Sequence, residues 1–467
     1  MGTTHGAKPI RGEKRVPLSP QYEGRFGRMF RRLPPAPEYT PDQLLALANL
    51  MRELVAPPPG GWASAPTPQP EADNPSIPAA YTYFGQFVDH DLTFDPASSL
   101  QQQNDPDALH DFRTPRFDLD SLYGSGPDDE PFQYVLGTDP EQLLIDTNVN
   151  GELDLPRNSQ GIALVGDPRN DENIIVSQLQ LTFLRLHNKL AAEVAADAAL
   201  PAEDRFAETQ RRVRWLYQQV VIFDYLPRLV GHDLVDELLK TTDDGGFDFK
   251  LKYYKAKVNA YMPVEFSVAA FRFGHSQVRG VYDLNDTVVG RPIFLPGDVS
   301  PTDDLRGRRP LPAAWTIQWS HFVDLPGANP QPSRLIDTHL VDGLFSLPGH
   351  DQPLPLLNLL RGQSMCLPSG QDVARYLRSD TVLTTAEMGA DVLDPTPLWF
   401  YVLKEAELQH AGTQLGTVGG RIVAETLLGL LHNDKASWIN VDPAWHTTIP
   451  VVGDHPTLAD VINYANQ

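Results

Sequence analysis

The stretch Tyr83–Pro96, YFGQFVDHDLTFDP, sets several polar side chains into an apolar run. On a helix, Gln86 and His90 stand four residues apart and share a face, with Asp89 close to it. Asp91 is turned by about 100° from His90, so it can serve a different site. An imidazole, an amide and a carboxylate facing one cavity are unfavourable in a core helix unless each has a partner. A helix end with two solvated aspartates and a satisfied histidine would account for this stretch taken alone. A second stretch offers oxygen ligands: Thr114-Pro-Arg116-Phe-Asp118-Leu-Asp120. In an extended segment alternate residues point the same way, so Thr114, Asp118 and Asp120 present side-chain oxygens from one side, with main-chain carbonyls between. Calcium takes six to eight such hard ligands, and Asp91 would tie the loop to the His90 segment. An acidic turn is the competing reading.

Three further stretches carry candidate groups. Gly166-Asp-Pro-Arg169-Asn-Asp-Glu172-Asn173 leads into an apolar, helix-spaced run. A helix N-terminus favours anions there, which explains Asp171 and Glu172 but not Arg169. His187, deep in the following amphipathic run, reads as a packing residue. Phe271-Arg272-Phe273-Gly274-His275-Ser276 places a histidine after an aromatic run, where a core role is common. Gly274 would nevertheless let a planar group approach the backbone closely. In Leu357-Asn358-Leu-Leu-Arg361, two polar residues punctuate an apolar stretch, and Asn358 reads as a turn residue or a buried hydrogen-bond partner. Neither a nucleotide-binding glycine loop nor a GxSxG elbow is present.

The elements that must hold these groups read as helices joined by long loops. Apolar spacing near 3.6 predicts a helix after Thr40-Pro41, longer ones over 172–196 and 202–229, and a shorter one over 264–273. Further helices are expected near 315–323, 333–346, 370–378, 397–410 and 417–432. Residues 56–78 and 95–165 read as irregular, although Trp62 and Ile77 suggest that the first of these lies partly on the body. No internal repeat or sustained strand alternation is present, so the class is mainly α. Residues 1–40 form a basic N-terminal arm, rich in Arg and Pro, and 41–467 a single large helical domain.

The 467 residues carry 38 Lys and Arg against 60 Asp and Glu, a net charge of −22. Such a body repels nucleic acid and anionic membranes. The arm runs against this balance, with Lys8, Arg11, Lys14, Arg15, Arg25, Arg28, Arg31 and Arg32. It is expected to pack on the body, and it leaves room for an acidic partner. A single cysteine, Cys366, excludes an intrachain disulfide and a cysteine zinc site. The absence of an apolar leader and of any membrane-length run predicts a soluble protein, with the cytoplasm favoured.

Taken together and in order, these stretches resemble the animal haem peroxidases of the peroxidase–cyclooxygenase superfamily, from about Ile77 to Leu431. The compact length and lack of cysteine pairs look like a bacterial branch. The resemblance implies haem b and Ca2+ as cofactors, with hydrogen peroxide and a small organic or inorganic electron donor as substrates. His90 looks like the distal histidine, Gln86 like the distal glutamine and Arg169 like the catalytic arginine. His275 looks like the proximal iron ligand. Asn358 resembles its hydrogen-bond partner, and Arg272 the arginine that pairs with a haem propionate; Arg361 is expected at the cofactor as well. Asp91, Thr114, Arg116 (through its carbonyl), Asp118 and Asp120 match the calcium loop. Asp89 and Glu172 match the carboxylates that become ester-linked to haem methyl groups in mammalian relatives. His90 would move a proton between the two peroxide oxygens and Arg169 would stabilise the separating charge. The donors implied are phenols, iodide, bromide and thiocyanate.

Two departures qualify the likeness. Position 173 is Asn, where one mammalian branch has a sulfonium-forming methionine, which implies a lower haem potential and poor chloride oxidation. The fatty-acid oxygenase branch needs a radical-forming tyrosine three residues before the proximal histidine, and that position is Arg272 here. A peroxidase is therefore the first expectation. A fatty-acid dioxygenase on the same scaffold and a non-catalytic calcium-binding relative are the alternatives.

Overall fold

Capping and packing explain why the longest helix lies where it does. Asn173 precedes Ile174–Ala195, and its Oδ1 accepts from the N–H groups of Ile175 and Val176 at 3.1 and 2.9 Å, satisfying two donors that a helix start leaves unpaired. Its buried side packs on Ala202–Gln219, on Ala80–Leu92 and on Leu458–Asn466. The computed structural model describes residues 26–53, 70–93, 113–256, 259–297, 299–389 and 391–467. Among these the architecture is mainly α, with helices joined by long irregular segments and only two-stranded ribbons for sheet.

The His90 helix, Ala80–Leu92, lies at the centre of this packing, with nearly all of its residues buried. Phe84 and Phe87 stack on Phe183 at 6.5 and 4.7 Å between ring centroids, and Tyr217 stands edge-on to both. Gly85 faces Tyr225 so closely that a Cβ there would lie 2.1 Å from the phenol oxygen. An antiparallel ribbon of Asp73–Pro78 with Pro332–Arg334 runs almost directly into this helix and fixes where it begins.

The expected 202–229 helix is continuous but not uniform. A π-helical turn, Val220–Tyr225, separates Ala202–Gln219 from Leu226–Val230. Pro227 has no N–H and its ring crowds the carbonyl four residues back. The wider pairing, in which Leu226 N–H reaches Val221 O, relieves that crowding.

Elsewhere the expectations need correction. The 264–273 segment splits into a short helix, Val264–Ser267, and a 3-10 turn, Ala270–His275. Arg272 Nε–H donates to the carbonyl of Ser267 at 3.1 Å and holds the break. Residues 315–323 hold only a 3-10 turn, Trp319–His321, because the side chain of Gln178 pairs with Trp315 O and Ile317 N–H at 3.0 and 2.7 Å. Residues 333–346 contain ribbon strand and a second 3-10 turn, Asp342–Phe345. In both places apolar spacing reflects burial of extended chain. Three helices of seven or more residues escaped the periodicity argument: His232–Leu238, Leu354–Ser364 and Leu458–Asn466.

The described part of the arm lies on the body. Phe26–Gly27 pairs in parallel with Met262–Pro263, and Glu265 accepts the N–H groups of Met29 and Phe30, both at 3.0 Å. Arg28 donates to the carbonyls of Met365 and Cys366. Lys8, Arg11, Lys14, Arg15, Arg25 and Trp62 lie outside the described residues, whereas Ile77 is fully buried. Among the described residues no helix is long and apolar enough to cross a membrane.

Candidate active site

His90 is buried, and its Nδ1 lies 2.7 Å from Asn170 Oδ1. Asn170 is oriented in turn by Gln180, whose Oε1 accepts from Asn170 Nδ2 at 2.9 Å. With its oxygen facing the imidazole, Asn170 requires a proton on Nδ1, which leaves Nε2 as the basic nitrogen. Burial, reinforced by the nearby Arg169 charge, pushes the imidazole down to about 3. It is therefore a neutral base throughout the ordinary pH range.

Arg169 sits on a 3-10 turn, Pro168–Asp171, just before the long helix. Its position is explained by Asp167, which is fully buried. Asp167 accepts from Arg169 Nε at 3.1 Å and Nη2 at 2.8 Å, and Arg169 Nη2 also donates to the carbonyls of His90 and Thr93 at 3.1 and 2.5 Å. Burial alone would raise the Asp167 carboxyl, but the hydrogen bonds and charge of Arg169 hold it below the usual range. Arg113 completes the cluster, donating to Asp167 Oδ2 at 2.8 Å and Gly166 O at 2.9 Å.

Gln86 is held at both ends. Its Nε2 donates to Glu172 Oε2 at 3.1 Å, and its Oε1 accepts from Asn173 Nδ2 at the same distance. Asn173 thus caps a helix with its oxygen and positions Gln86 with its nitrogen. Asp89 and Glu172 are part-buried, and burial raises both above the ordinary carboxyl range, against the lowering charge of Arg169. Gln86, Asp89, His90, Arg169 and Glu172 are thereby brought to one wall.

The 3-10 turn Ala270–His275 packs against the His90 helix. Burial, then the Arg272 charge, pushes His275 down to about 3. Asn358, wholly buried on the Leu354–Ser364 helix, approaches His275 Nδ1 at 2.8 Å through its Nδ2, while its Oδ1 accepts from Arg272 Nη1 at 2.5 Å. The expected contact is present, with the amide turned so that nitrogen rather than oxygen faces the ring. A guanidinium can only donate, so Arg272 selects this orientation. Arg361, one helical turn after Asn358, is buried; burial and, against the raising charge of Asp89, the Arg361 charge push the Arg272 guanidinium below its ordinary pKa. Trp399 stands edge-on to His275 at 6.4 Å and donates to the Arg272 carbonyl at 3.2 Å. A Cβ on Gly274 would meet nothing within 4 Å, so space for a planar group lies beside the histidine.

The oxygen-donor loop is assembled as well. Carboxylate oxygens of Asp91, Asp118 and Asp120 all lie within 4.8 Å of one another. Asp91 is fully buried and neither of its oxygens meets a donor in hydrogen-bonding geometry, nor does Asp120 Oδ1. The Leu119 amide and the Tyr217 hydroxyl approach Asp91 only loosely. Burial, then mutual repulsion, pushes Asp91 well above the ordinary range and Asp120 to about 8. Buried carboxylates left unpaired are unfavourable, and a hard divalent cation is the partner that suits them. Thr114 Oγ1 donates to Asp118 Oδ2 at 2.6 Å, and Arg116 N–H turns back onto Thr114 O at 2.8 Å. The segment is not extended, as alternation had implied. Leu119 is left-handed at φ 56°, and Asp120 opens a helical turn. That reversal, rather than strand alternation, gathers the oxygens.

Sequence reasoning assigned no role to Asn170, Asp167, Arg113, Gln180 or Trp399. The first two flank Arg169 in sequence and had a local signal. The others meet the site only through the fold. His187, by contrast, is the expected packing residue, bonded to Tyr123 Oη at 3.0 Å and Glu141 O at 2.9 Å.

Comparison with known proteins fits this geometry. The chain is 25% identical to human thyroid peroxidase over 302 residues, which is 59% of this chain and 30% of the relative. It is 24% identical to chorion peroxidase of Aedes aegypti over 294 residues, 62% of this chain and 35% of the relative. The matches thus span about a third of these relatives' lengths. The fold is similar to peroxidase A of Dictyostelium discoideum, with TM-score 0.67, 18% identity and coverage of 97% of this chain and 95% of the other. It is also similar to an Arabidopsis thaliana fatty acid alpha-dioxygenase, with TM-score 0.61, 14% identity and coverage of 92% and 76%. Residues 118–390, more than half of the chain and including Arg169, His275 and Asn358, match the family profile of the animal haem peroxidases, and the chain belongs to that family.

Proposed function

We propose that this protein is a haem peroxidase that reduces hydrogen peroxide while oxidising small donors such as phenols, iodide, bromide or thiocyanate. The observation that carries the reading is the pair of neutral histidines, one buried and one half-buried, whose Nδ1 atoms each lie beside an asparagine, His90 with Asn170 at 2.7 Å and His275 with Asn358 at 2.8 Å. At His90 this leaves Nε2 as the basic nitrogen, and at His275 Nε2 becomes the free nitrogen when the Asn358 amide turns its oxygen to the ring.

Haem b would lie in the open space beside Gly274, and when bound it supplies a redox-active iron and the store of oxidising equivalents. His275 Nε2 would hold the iron, which requires a proton on Nδ1 and therefore the oxygen of Asn358 facing the ring. A half-turn of the Asn358 amide achieves this once Arg272 takes an anionic acceptor such as a haem propionate. Arg361 is the second cation available for a propionate. Asp89 and Glu172 would form any ester links, and Asp91, Asp118, Asp120, Thr114 and the Arg116 carbonyl would hold Ca2+.

In catalysis His90 Nε2 takes a proton from one peroxide oxygen and returns it to the departing oxygen, which leaves as water. Arg169, fixed by Asp167, stabilises the negative charge that develops as the O–O bond opens. Gln86, clamped by Glu172 and Asn173, orients water or halide beside them.

Replacing His90 by Ala is expected to lower kcat/KM for peroxide by about 10²–10⁴ with haem content unchanged. Peroxide-dependent iodide oxidation equal to that of the parent would overturn the assignment. Arg272, where a radical tyrosine would be needed, speaks against a fatty-acid dioxygenase. Oxygen uptake with linoleate in the absence of peroxide would reverse that ranking.

A further inference from the structure

Two buried tyrosines lead away from this site and have no part in the chemistry above. Tyr225 ends the π-helical turn, with its hydroxyl against the backbone at Gly85, next to Gln86. Phe271, four residues before His275, stands edge-on to the Tyr225 ring at 6.4 Å. On its other side Tyr225 lies parallel to Tyr81, with ring centroids 6.5 Å apart and an interplanar angle of 5°.

Tyr81 meets a proton acceptor that itself lines a surface cavity. Its hydroxyl donates to Asp224 Oδ2 at 2.6 Å, and the Arg228 guanidinium stands 4.3 Å above its ring. Asp224 and Arg228 both line a cavity of about 840 Å³, together with Phe223, His410 and Gln414. Packing alone would be served by phenylalanine at position 81. A buried phenol bonded to a buried carboxylate is instead suited to losing an electron, because its proton can move along the same hydrogen bond.

We propose that Tyr81, coupled through Tyr225, is a one-electron relay from the haem site to this cavity, where phenolic donors too bulky for the haem cleft are oxidised. The inference rests on the peroxidase reading, with hydrogen peroxide as the oxidant. Tyr81 gives one electron, through the Tyr225 ring, to the site that peroxide has oxidised, and its proton passes to Asp224 Oδ2. A neutral phenoxyl is left on Tyr81. A phenol in the cavity then returns one electron, Asp224 returns the proton to Tyr81, and the proton of the phenol leaves to solvent. Two phenols are oxidised for each peroxide reduced to water.

The test uses the haem-loaded full chain and its Tyr81→Phe variant, which keeps the ring and leaves Asp224 bonded to Arg228 Nε and Leu458 N–H, both at 2.8 Å. Electron paramagnetic resonance after one equivalent of peroxide should show a tyrosyl signal in the parent that is lost or altered in the variant. Turnover of a phenol tethered to a soluble polymer should fall at least about tenfold while iodide turnover is kept. Gln414→Trp, which fills the cavity wall, should lower tethered-phenol turnover but keep the radical, and serves if Tyr81→Phe fails to fold. Tethered-phenol turnover unchanged in these variants, with iodide turnover intact, would overturn the relay alone. A parent that oxidises neither iodide nor phenol with peroxide would overturn the peroxidase reading and the relay with it.

Discussion

At the scale of single residues, the chemistry depends on what holds each nitrogen. His90 is neutral because it is buried and lies near Arg169, and its basic nitrogen is chosen by Asn170. Its pKa is lowered from 6.5 to about 3 in the folded protein, so between those values the native state binds fewer protons than the unfolded chain. Its contribution to stability is accordingly lost as pH falls through that window, while activity needs only the neutral ring. The peroxide kcat/KM should therefore show no acid limb near pH 6.5 and stay level down to about pH 4. Asn170→Asp places a carboxylate against Nδ1, which favours the imidazolium. The acid limb should then move up toward neutral pH, and a stopped-flow pH profile identical to that of the parent would refute the role given to Asn170.

At the scale of elements, function depends on how closely helices approach. The His90 helix can lie against the π-helical turn because residue 85 has no side chain. Gly85→Ala would bring Cβ to 2.1 Å from the Tyr225 oxygen. Overpacking of this kind destabilises by about 1–3 kcal/mol, and it should shift both the melting temperature and the peroxide kinetics of the neighbouring Gln86 and His90. Tyr225→Phe removes the offending oxygen, so the Gly85→Ala penalty should shrink in that background. Equal penalties in both backgrounds, measured by denaturant melts, would show that the contact is not the cause.

At the scale of the whole molecule, the oxygen-donor loop and the Arg169 turn form one unit. Arg113 donates to the Asp120 carbonyl at 3.4 Å and stands 3.7 Å from its carboxylate, while also bonding Asp167, which holds Arg169. Gly166 presses on this loop, where a Cβ would lie 2.7 Å from Ser121 O. Ca2+ at a hundredfold excess over its Kd would stabilise the fold by about 2.7 kcal/mol. Chelation should therefore lower the melting temperature and also slow peroxide reduction, since Arg169 loses its anchorage. Asp118→Asn should behave as the chelated parent does and respond less to added calcium. If chelation leaves both stability and peroxide kinetics unchanged, no cation of consequence is held there.

The sequence by itself determined the inventory and much of its placement. Gln86 and His90 share a wall because helical spacing requires it, and Asp91 is turned toward the oxygen-donor loop for the same reason. The mainly α class followed from apolar spacing that burial enforces. Periodicity failed where long-range partners satisfy the backbone, as Gln178 does for residues 315–317 and the Asp73–Pro78 strand does for Pro332–Arg334. It also passed over the Leu354–Ser364 helix, which carries Asn358 and Arg361. Only the tertiary structure decided which nitrogen of His90 is basic, why Arg169 tolerates a helix start, and how the acidic oxygens converge. The His90 and acidic-loop contacts join residues distant in sequence or turn on one left-handed residue, Leu119, and Arg169 rests on its near neighbour Asp167 as well as on the carbonyls of His90 and Thr93; none of these leaves a periodic trace in the chain.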